Sequence, residues 1–151
     1  MSPNPVILDT NIYISYLLSL KPAGVVVELI HSVFGGTVVP AIAPEQIREL
    51  SNSVRSKPYL RKRISDQVLD AFVYRLLKLG LELEPLVGDI PRVFRDPKDD
   101  YLYAYAIRDG LGIIVSGDRD VLAEKDRFKQ PLILTPQELR DSIKRRELNQ
   151  S

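Results

Sequence analysis

The stretch Val6-Ile7-Leu8-Asp9 is a short run of aliphatic residues that ends in an acid. Its length and composition predict a buried central strand. Late in the chain, Ile113-Ile114-Val115-Ser116-Gly117-Asp118 has the same pattern, an apolar run followed by an acid. Ligand sites in parallel α/β sheets gather beyond the carboxyl ends of the strands, so Asp9 and Asp118 are candidate site residues. Each Asp could instead cap the following helix. Charge at two strand ends is costly unless it is paired or bound to metal, which favours a metal site.

Helical and strand patterns alternate around these two strands. Helices are predicted at about 12–18, 23–34, 44–55, 66–79, 99–110 and 136–147, and further strands at 37–39, 81–83 and 132–134. The last helix begins with Thr135-Pro136-Gln137-Glu138, a capping box with Pro at the first helical position. The alternation predicts a single α/β domain, residues 1–151, with a largely parallel sheet.

The composition restricts the chemistry that the chain can perform. The 151 residues include no cysteine and one histidine, His31. These counts exclude disulfides, zinc–thiolate centres, thiol catalysis and a multi-histidine metal site within one chain. A metal must therefore be held by oxygen, which favours Mg²⁺ or Mn²⁺. The net charge of +1, from 21 basic and 20 acidic residues, argues against a generally basic nucleic-acid coat.

Nothing in the sequence indicates a membrane or export segment. No apolar run approaches the ~20 residues that a membrane helix needs. Residues Met1 to Pro5 lack the basic and apolar regions of a secretory signal. A cytoplasmic location without membrane attachment is therefore expected.

Asp96-Pro97-Lys98-Asp99-Asp100 is a third acidic segment, directly before a predicted helix. A helix N-terminus favours negative charge, so one of these acids is expected to act as a cap. The remaining acids exceed what capping needs. Spacing alone leaves open whether Asp99 or Asp100 faces a site.

Two further features are typical of a solvated surface when they are considered alone. Glu49 falls off the buried stripe of its predicted helix, so periodicity favours a position facing solvent. A run of cations follows that helix, and such a run is usually solvated. Beside an acidic metal site, the same cations could hold a phosphate backbone. They are Arg55, Lys57, Arg61, Lys62 and Arg63.

Four segments, in this order, resemble the motifs of the PIN domain, and in particular of VapC-like toxins. They are Val6 to Asn11 with the acid Asp9, residues 44–50 with Glu49, residues 96–100 with Asp99, and residues 115–120 with Asp118. In the fourth motif, Ser116 stands where the family usually has Thr or Ser, and Asp120 resembles an extra acid of some members. The resemblance covers about residues 5–140, and it depends on the ordered set because any single motif is weak.

The resemblance implies a three-layer α/β/α sandwich with the activity of a metal-dependent endoribonuclease, a hydrolase of RNA phosphodiester bonds. The acids that it assigns to catalysis are Asp9, Glu49, Asp99 and Asp118. The ligands of Mg²⁺ or Mn²⁺ among them would be Asp9, Asp99 and Asp118. The residues expected to support them are Asn11, Asp96, Asp100, Ser116 and Asp120. A VapC-like toxin would be held inactive by a cognate antitoxin, often in a dimeric assembly.

Other classes of protein compete with this interpretation. A phosphatase of the haloacid-dehalogenase type needs a second Asp two residues after the first, where this chain has Asn11. A receiver-like signalling domain needs paired acids near the first strand, and these are missing. A non-catalytic RNA-binding PIN-like module would have lost the acids that this chain retains. A housekeeping RNA-processing nuclease, which has no inhibitor, stays an alternative to the toxin role.

Overall fold

A computed structural model describes residues 4–150, with side chains described as far as residue 146. The ends of the expected 1–151 domain, residues 1–3 and 151, lie outside the described residues. The strands are β1 (Ile7–Leu8), β2 (Ala41–Ile42), β3 (Leu81–Glu82), β4 (Ile113–Val115) and β5 (Leu132–Leu134). The helices are α1 (Thr10–Leu18), α2 (Val25–Phe34), α3 (Pro44–Ser56), α4 (Pro58–Arg63), α5 (Asp66–Leu79), α6 (Asp100–Asp109), α7 (Arg119–Leu122) and α8 (Pro136–Gln150), and a 3₁₀ turn (Pro97–Asp99) leads into α6.

Every strand pair in the described residues is parallel. β4 lies between β1 and β5, and β2 pairs with β3. A parallel bridge between Val6 and Pro40 joins the two groups, and the Ala41 N–H donates to the Val6 carbonyl at 2.7 Å. The order across the sheet is therefore β3-β2-β1-β4-β5. The predicted α/β class with a parallel sheet is confirmed.

Successive strand residues face opposite sides of the sheet, as the two-residue period of a strand requires. Leu8 and Val115 pack in a cluster with buried residues of α1, α2, α3, α5 and α8. Ile7 and Ile114 pack in a second cluster with buried residues of α6, together with Phe94 from the segment before it. Helices cover both faces, so the three-layer sandwich is also confirmed.

Two predicted segments differ from the structure. The strand expected at 37–39 begins instead at Ala41. The N–H groups of Thr37 and Val38 donate to the Ser32 carbonyl at 2.9 and 3.2 Å, so they close the end of α2 and are not available to a sheet. The basic segment after α3 contains the short helix α4, which begins at Pro58 and buries Leu60. Within the described residues, no helix combines the length and the apolar character that crossing a membrane requires.

Candidate active site

Three carboxylates meet at the carboxyl edge of the sheet. Asp9 follows β1, Asp118 follows β4, and Asp99 ends the 3₁₀ turn before α6. One oxygen from each side chain lies within 4.8 Å of the others. In the part of the chain that the structure describes, they form the one group of three or more His, Cys, Asp or Glu residues placed closely enough to share an ion.

Ser116 connects Asp9 and Asp118 through two hydrogen bonds. The buried Ser116 Oγ donates to Asp9 Oδ2 at 2.7 Å and accepts from the Asp118 N–H at 3.0 Å. The Asn11 N–H donates to Asp9 Oδ1 at 3.3 Å, and the Asp120 N–H donates to Asp118 Oδ1 at 2.8 Å. Asp9 and Asp118 are thus the N-caps of α1 and α7 and members of the cluster at once. The capping role that the sequence offered for these acids is present, and the same two acids lie in the cluster.

Asn11 and Asp120 contact the cluster through their backbone. The Asn11 side chain is exposed, and the Asp120 side chain is half-buried outside the group of three. Asp96 caps the 3₁₀ turn, since its Oδ1 accepts from the Lys98 N–H at 3.0 Å. One acid of the third segment therefore acts as the expected cap.

Asp99 and Asp100 have opposite surroundings. Asp99 makes no side-chain cap hydrogen bond, and its Oδ2 is buried with no hydrogen-bond partner among the described residues. Asp100 is buried away from the cluster and accepts from the N–H groups of Phe94 and Val93 at 2.7 and 3.1 Å. Arg92 Nε also donates to it, at 2.7 Å. Asp99 is therefore the acid of this pair that lies in the cluster, while Asp100 anchors the segment before it.

These surroundings shift the pKa values of the acids in different directions. Burial raises the pKa of Asp9, with smaller increases from the charges of Glu49 and Asp118, although the hydrogen bonds from Ser116 and Asn11 partly oppose the rise. Burial, and then the charges of Asp9 and Asp118, raise the pKa of Asp99 to about 7. Burial alone would raise the pKa of Asp100, but its hydrogen bonds outweigh burial and lower it. The charged form is therefore disfavoured at Asp9 and Asp99, first by burial and then by the neighbouring charges.

This arrangement fits a hard divalent cation. Mg²⁺ and Mn²⁺ take oxygen ligands, and three carboxylates supply them here. The unpaired Asp99 oxygen provides a buried acceptor that nothing in the described protein uses. A cation at this position would offset the burial and the neighbouring charges that raise the pKa of Asp99.

Glu49 lies beside this group, and its carboxylate is turned toward Thr10 and Tyr101. It is half-buried, and its Oε2 accepts from Thr10 Oγ1 at 3.1 Å and from the Tyr101 hydroxyl at 3.1 Å. The solvent-facing position that helical periodicity favours is therefore wrong. Thr10 and Tyr101 were not among the predicted site residues. The signal for Tyr101 was its four-residue spacing from Tyr105, which places both rings on one face of α6.

The basic residues lie at the end of α3, on α4 and between them, and all five are exposed. Arg55 is six residues beyond Glu49 on α3, about 9 Å along the helix axis. It contacts Asp66 at 3.7 Å and Asp70 at 3.5 Å. Within the described residues, no salt bridge involves the remaining four cations, which are Lys57, Arg61, Lys62 and Arg63.

A family model described as the PIN domain matches residues 5–120, and the chain belongs to the PIN domain family. The resemblance drawn from the four ordered motifs is thus confirmed. Among solved structures, the chain is similar to one in the crystal structure of VapBC2 from Rickettsia felis bound to a DNA fragment from their promoter. The TM-score is 0.55 at 17% sequence identity, over 86% of this chain and 96% of that chain. At this identity the likeness shows a common fold. No curated protein matches the sequence.

Proposed function

We propose that the chain is a cytoplasmic endoribonuclease that uses Mg²⁺ or Mn²⁺ to hydrolyse RNA phosphodiester bonds. The observation that carries the proposal is the cluster of Asp9, Asp99 and Asp118, in which Asp99 has a buried oxygen with no hydrogen-bond partner among the residues that the structure describes. A structural role does not explain that oxygen, because an unpaired buried polar atom is destabilising. A role in binding a cation explains it.

Each residue of the site has a distinct part in this proposal. Asp9, Asp99 and Asp118 hold the cation, directly or through water. When bound, a divalent cation supplies positive charge that lowers the pKa of water and offsets negative charge on the phosphate. Ser116 fixes the relative orientation of Asp9 and Asp118 through its two hydrogen bonds. Glu49 orients the attacking water.

The cations at the end of α3 and after it are the proposed contact surface for the RNA backbone. Four of them make no salt bridge within the described residues, and they follow the helix that carries Glu49. Arg55 is already paired with two aspartates, so we expect it to contribute least. A local patch of this kind is compatible with the net charge of +1.

We propose further that the enzyme is the toxin of a toxin–antitoxin pair and forms a homodimer. The support is the fold likeness to the VapBC2 structure. Where a small gene for a DNA-binding protein neighbours the gene for this chain, co-expression with its product tests this role. A partner that copurifies and suppresses cleavage supports it. If the adjacent gene product neither binds nor inhibits, the nuclease has a housekeeping role in RNA processing.

Asp99→Asn gives the sharpest test of the activity, because the Asp99 side chain makes no cap hydrogen bond and its Oδ2 has no partner within the described part of the chain. End-labelled single-stranded RNA is incubated with wild type and variant in Mn²⁺, in Mg²⁺ and in EDTA. We expect cleavage by wild type in either metal, none in EDTA, and a loss of at least ~100-fold in the variant. Products should carry 5′-phosphate and 3′-hydroxyl ends.

The matched control is Asp126→Asn, an exposed aspartate outside the cluster. It should cleave RNA like wild type. The proposal fails if folded wild type cleaves no RNA in either metal. It also fails if Asp99→Asn retains full activity.

A further inference from the structure

Two tyrosine–glutamate pairs connect α6 to α3. The Tyr101 hydroxyl donates to Glu49 at 3.1 Å, and the Tyr105 hydroxyl donates to Glu45 at 2.8 Å. The two tyrosines are four residues apart on α6, and the two glutamates are four residues apart on α3. The two contacts are therefore one turn apart on the same helix faces. The interface therefore contains the same interaction twice, in two different surroundings.

Only the first pair connects to the acidic cluster. Thr10, the residue after Asp9, donates its hydroxyl to the same Glu49 oxygen, and its Oγ1 lies 3.3 Å from the Tyr101 hydroxyl. Glu49 is also close enough for its charge to raise the pKa of Asp9 and of Asp99. The second pair lies one turn away, where Glu45 is 3.6 Å from Arg48.

We propose that Tyr101 is a positioning residue that holds Glu49 in place for the reaction, an inference that rests on the proposed function. Both donors, Tyr101 and Thr10, use Oε2, and no hydrogen bond among the described residues uses Oε1. The fixed oxygen leaves Oε1 to accept from the attacking water. A carboxylate held in this way loses little orientational freedom when the substrate binds.

The surroundings of Tyr101 suit a permanent hydrogen-bond donor. Tyr101 is 7% exposed, and it contacts both Thr10 and the ring of Tyr105. Packing and these contacts hold the Tyr101 hydroxyl against Glu49, at 3.1 Å.

The test compares Tyr101→Phe with Tyr105→Phe. Both variants keep the ring and its packing and remove one hydroxyl that is bonded to a glutamate. We expect Tyr101→Phe to lower kcat about tenfold with KM for RNA unchanged, a smaller loss than the ~10²–10⁴-fold expected for a lost acid–base group. Tyr105→Phe should stay within about twofold of wild type, and in a Glu49→Gln background Tyr101→Phe should cause no further loss.

A second measurement does not depend on RNA cleavage. In protein labelled with ¹³C at the glutamate carboxyl carbons, Mg²⁺ should shift the Glu49 resonance in wild type and in Tyr105→Phe. The shift should be at least halved in Tyr101→Phe. An equal shift in all three proteins, or equal loss of kcat in the two phenylalanine variants, overturns the inference. If wild type shows the expected resonance pattern but cleaves no RNA, the proposed function fails while the positioning of Glu49 stands.

Discussion

Replacing Asp99 by Asn should make the protein more stable while it removes activity. The carboxylate is half-buried beside other acids, and its Oδ2 has no hydrogen-bond partner within the described residues. Asn has almost the same shape but carries no charge, so the substitution removes repulsion without breaking a described side-chain hydrogen bond. The site thus stores unfavourable electrostatic free energy that a bound cation would release.

The size of the effect follows from the pKa of Asp99, which is raised from 3.8 to about 7. At ~1.4 kcal/mol for each pH unit, this difference corresponds to about 4 kcal/mol. Solvent screening of a half-buried group reduces the expected gain to about 1–2 kcal/mol. For a chain of 151 residues this corresponds to a rise in Tm of about 3–6 °C.

The gain should depend on pH with a defined sign. Between pH 3.8 and about 7, the unfolded chain loses the Asp99 proton while the folded chain retains it. The free energy of unfolding of wild type therefore falls as the pH rises through this interval. Asp99→Asn lacks this contribution, so the two proteins should have similar stability near pH 4 and differ fully above pH 7.

Thermal unfolding followed by circular dichroism measures the effect in EDTA and in Mn²⁺. At a Mn²⁺ concentration of 100 times Kd, wild type should gain ~2.7 kcal/mol. Asp99→Asn lacks one of the three ligands and should gain less, so the order of stability reverses.

The adjacent Asp100→Asn is the control of opposite sign, because Asp100 accepts hydrogen bonds from Arg92, Val93 and Phe94. It should lose about 2–3 kcal/mol at pH 7.5. The reasoning is refuted if Asp99→Asn is no more stable than wild type at pH 7.5 in EDTA, or if Mn²⁺ stabilises both proteins equally.

Three other changes test the remaining parts of the structure. Ser116→Ala removes the hydroxyl that contacts Asp9 and the Asp118 N–H. It should weaken Mn²⁺ binding about 10–100-fold in an electron paramagnetic resonance titration, and unchanged affinity would contradict the role given to Ser116. Neutralising the three cations at 61–63 should raise KM for RNA and lower the slope of log KM against log salt concentration by about 2. An unchanged slope would exclude this patch. In Gly80→Ala the new Cβ would lie 2.6 Å from the Pro40 carbonyl oxygen, so calorimetry should show about 1–3 kcal/mol less stability, and a wild-type Tm would contradict the close approach.

Several elements could be predicted from the sequence because their signals are local. β4, β5 and α5 have the bounds that their residue patterns predict. The capping box before α8 also forms, since Glu138 Oε1 accepts from the Thr135 N–H at 3.0 Å and Thr135 Oγ1 accepts from the Glu138 N–H at 3.1 Å. The placement of Asp9 and Asp118 followed from the same kind of signal, because a parallel strand sends the residue after it to the carboxyl edge of the sheet.

Other positions depended on contacts between residues far apart in the chain. Periodicity gave Glu49 a solvent-facing position, whereas its partners, Thr10 and Tyr101, are 39 and 52 residues away. The strand expected at 37–39 was displaced because Thr37 and Val38 donate to the end of α2. A hydropathy period locates a side chain relative to the axis of its own element only. It gives no information on where a neighbouring helix or strand packs.

The sequence by itself was enough to predict the family, from its ordered motifs, and the parallel sheet. It was also enough to predict that acids lie at the ends of β1 and β4. Only the tertiary structure decided between Asp99 and Asp100. Both acids stand at the start of one helix with the same local preference for a cap. Asp100 is buried because two backbone N–H groups and Arg92 converge on it, and this turns Asp99 toward Asp9 and Asp118. The choice depends on which carboxylate finds donors that compensate its desolvation, and those donors come together only when the chain folds.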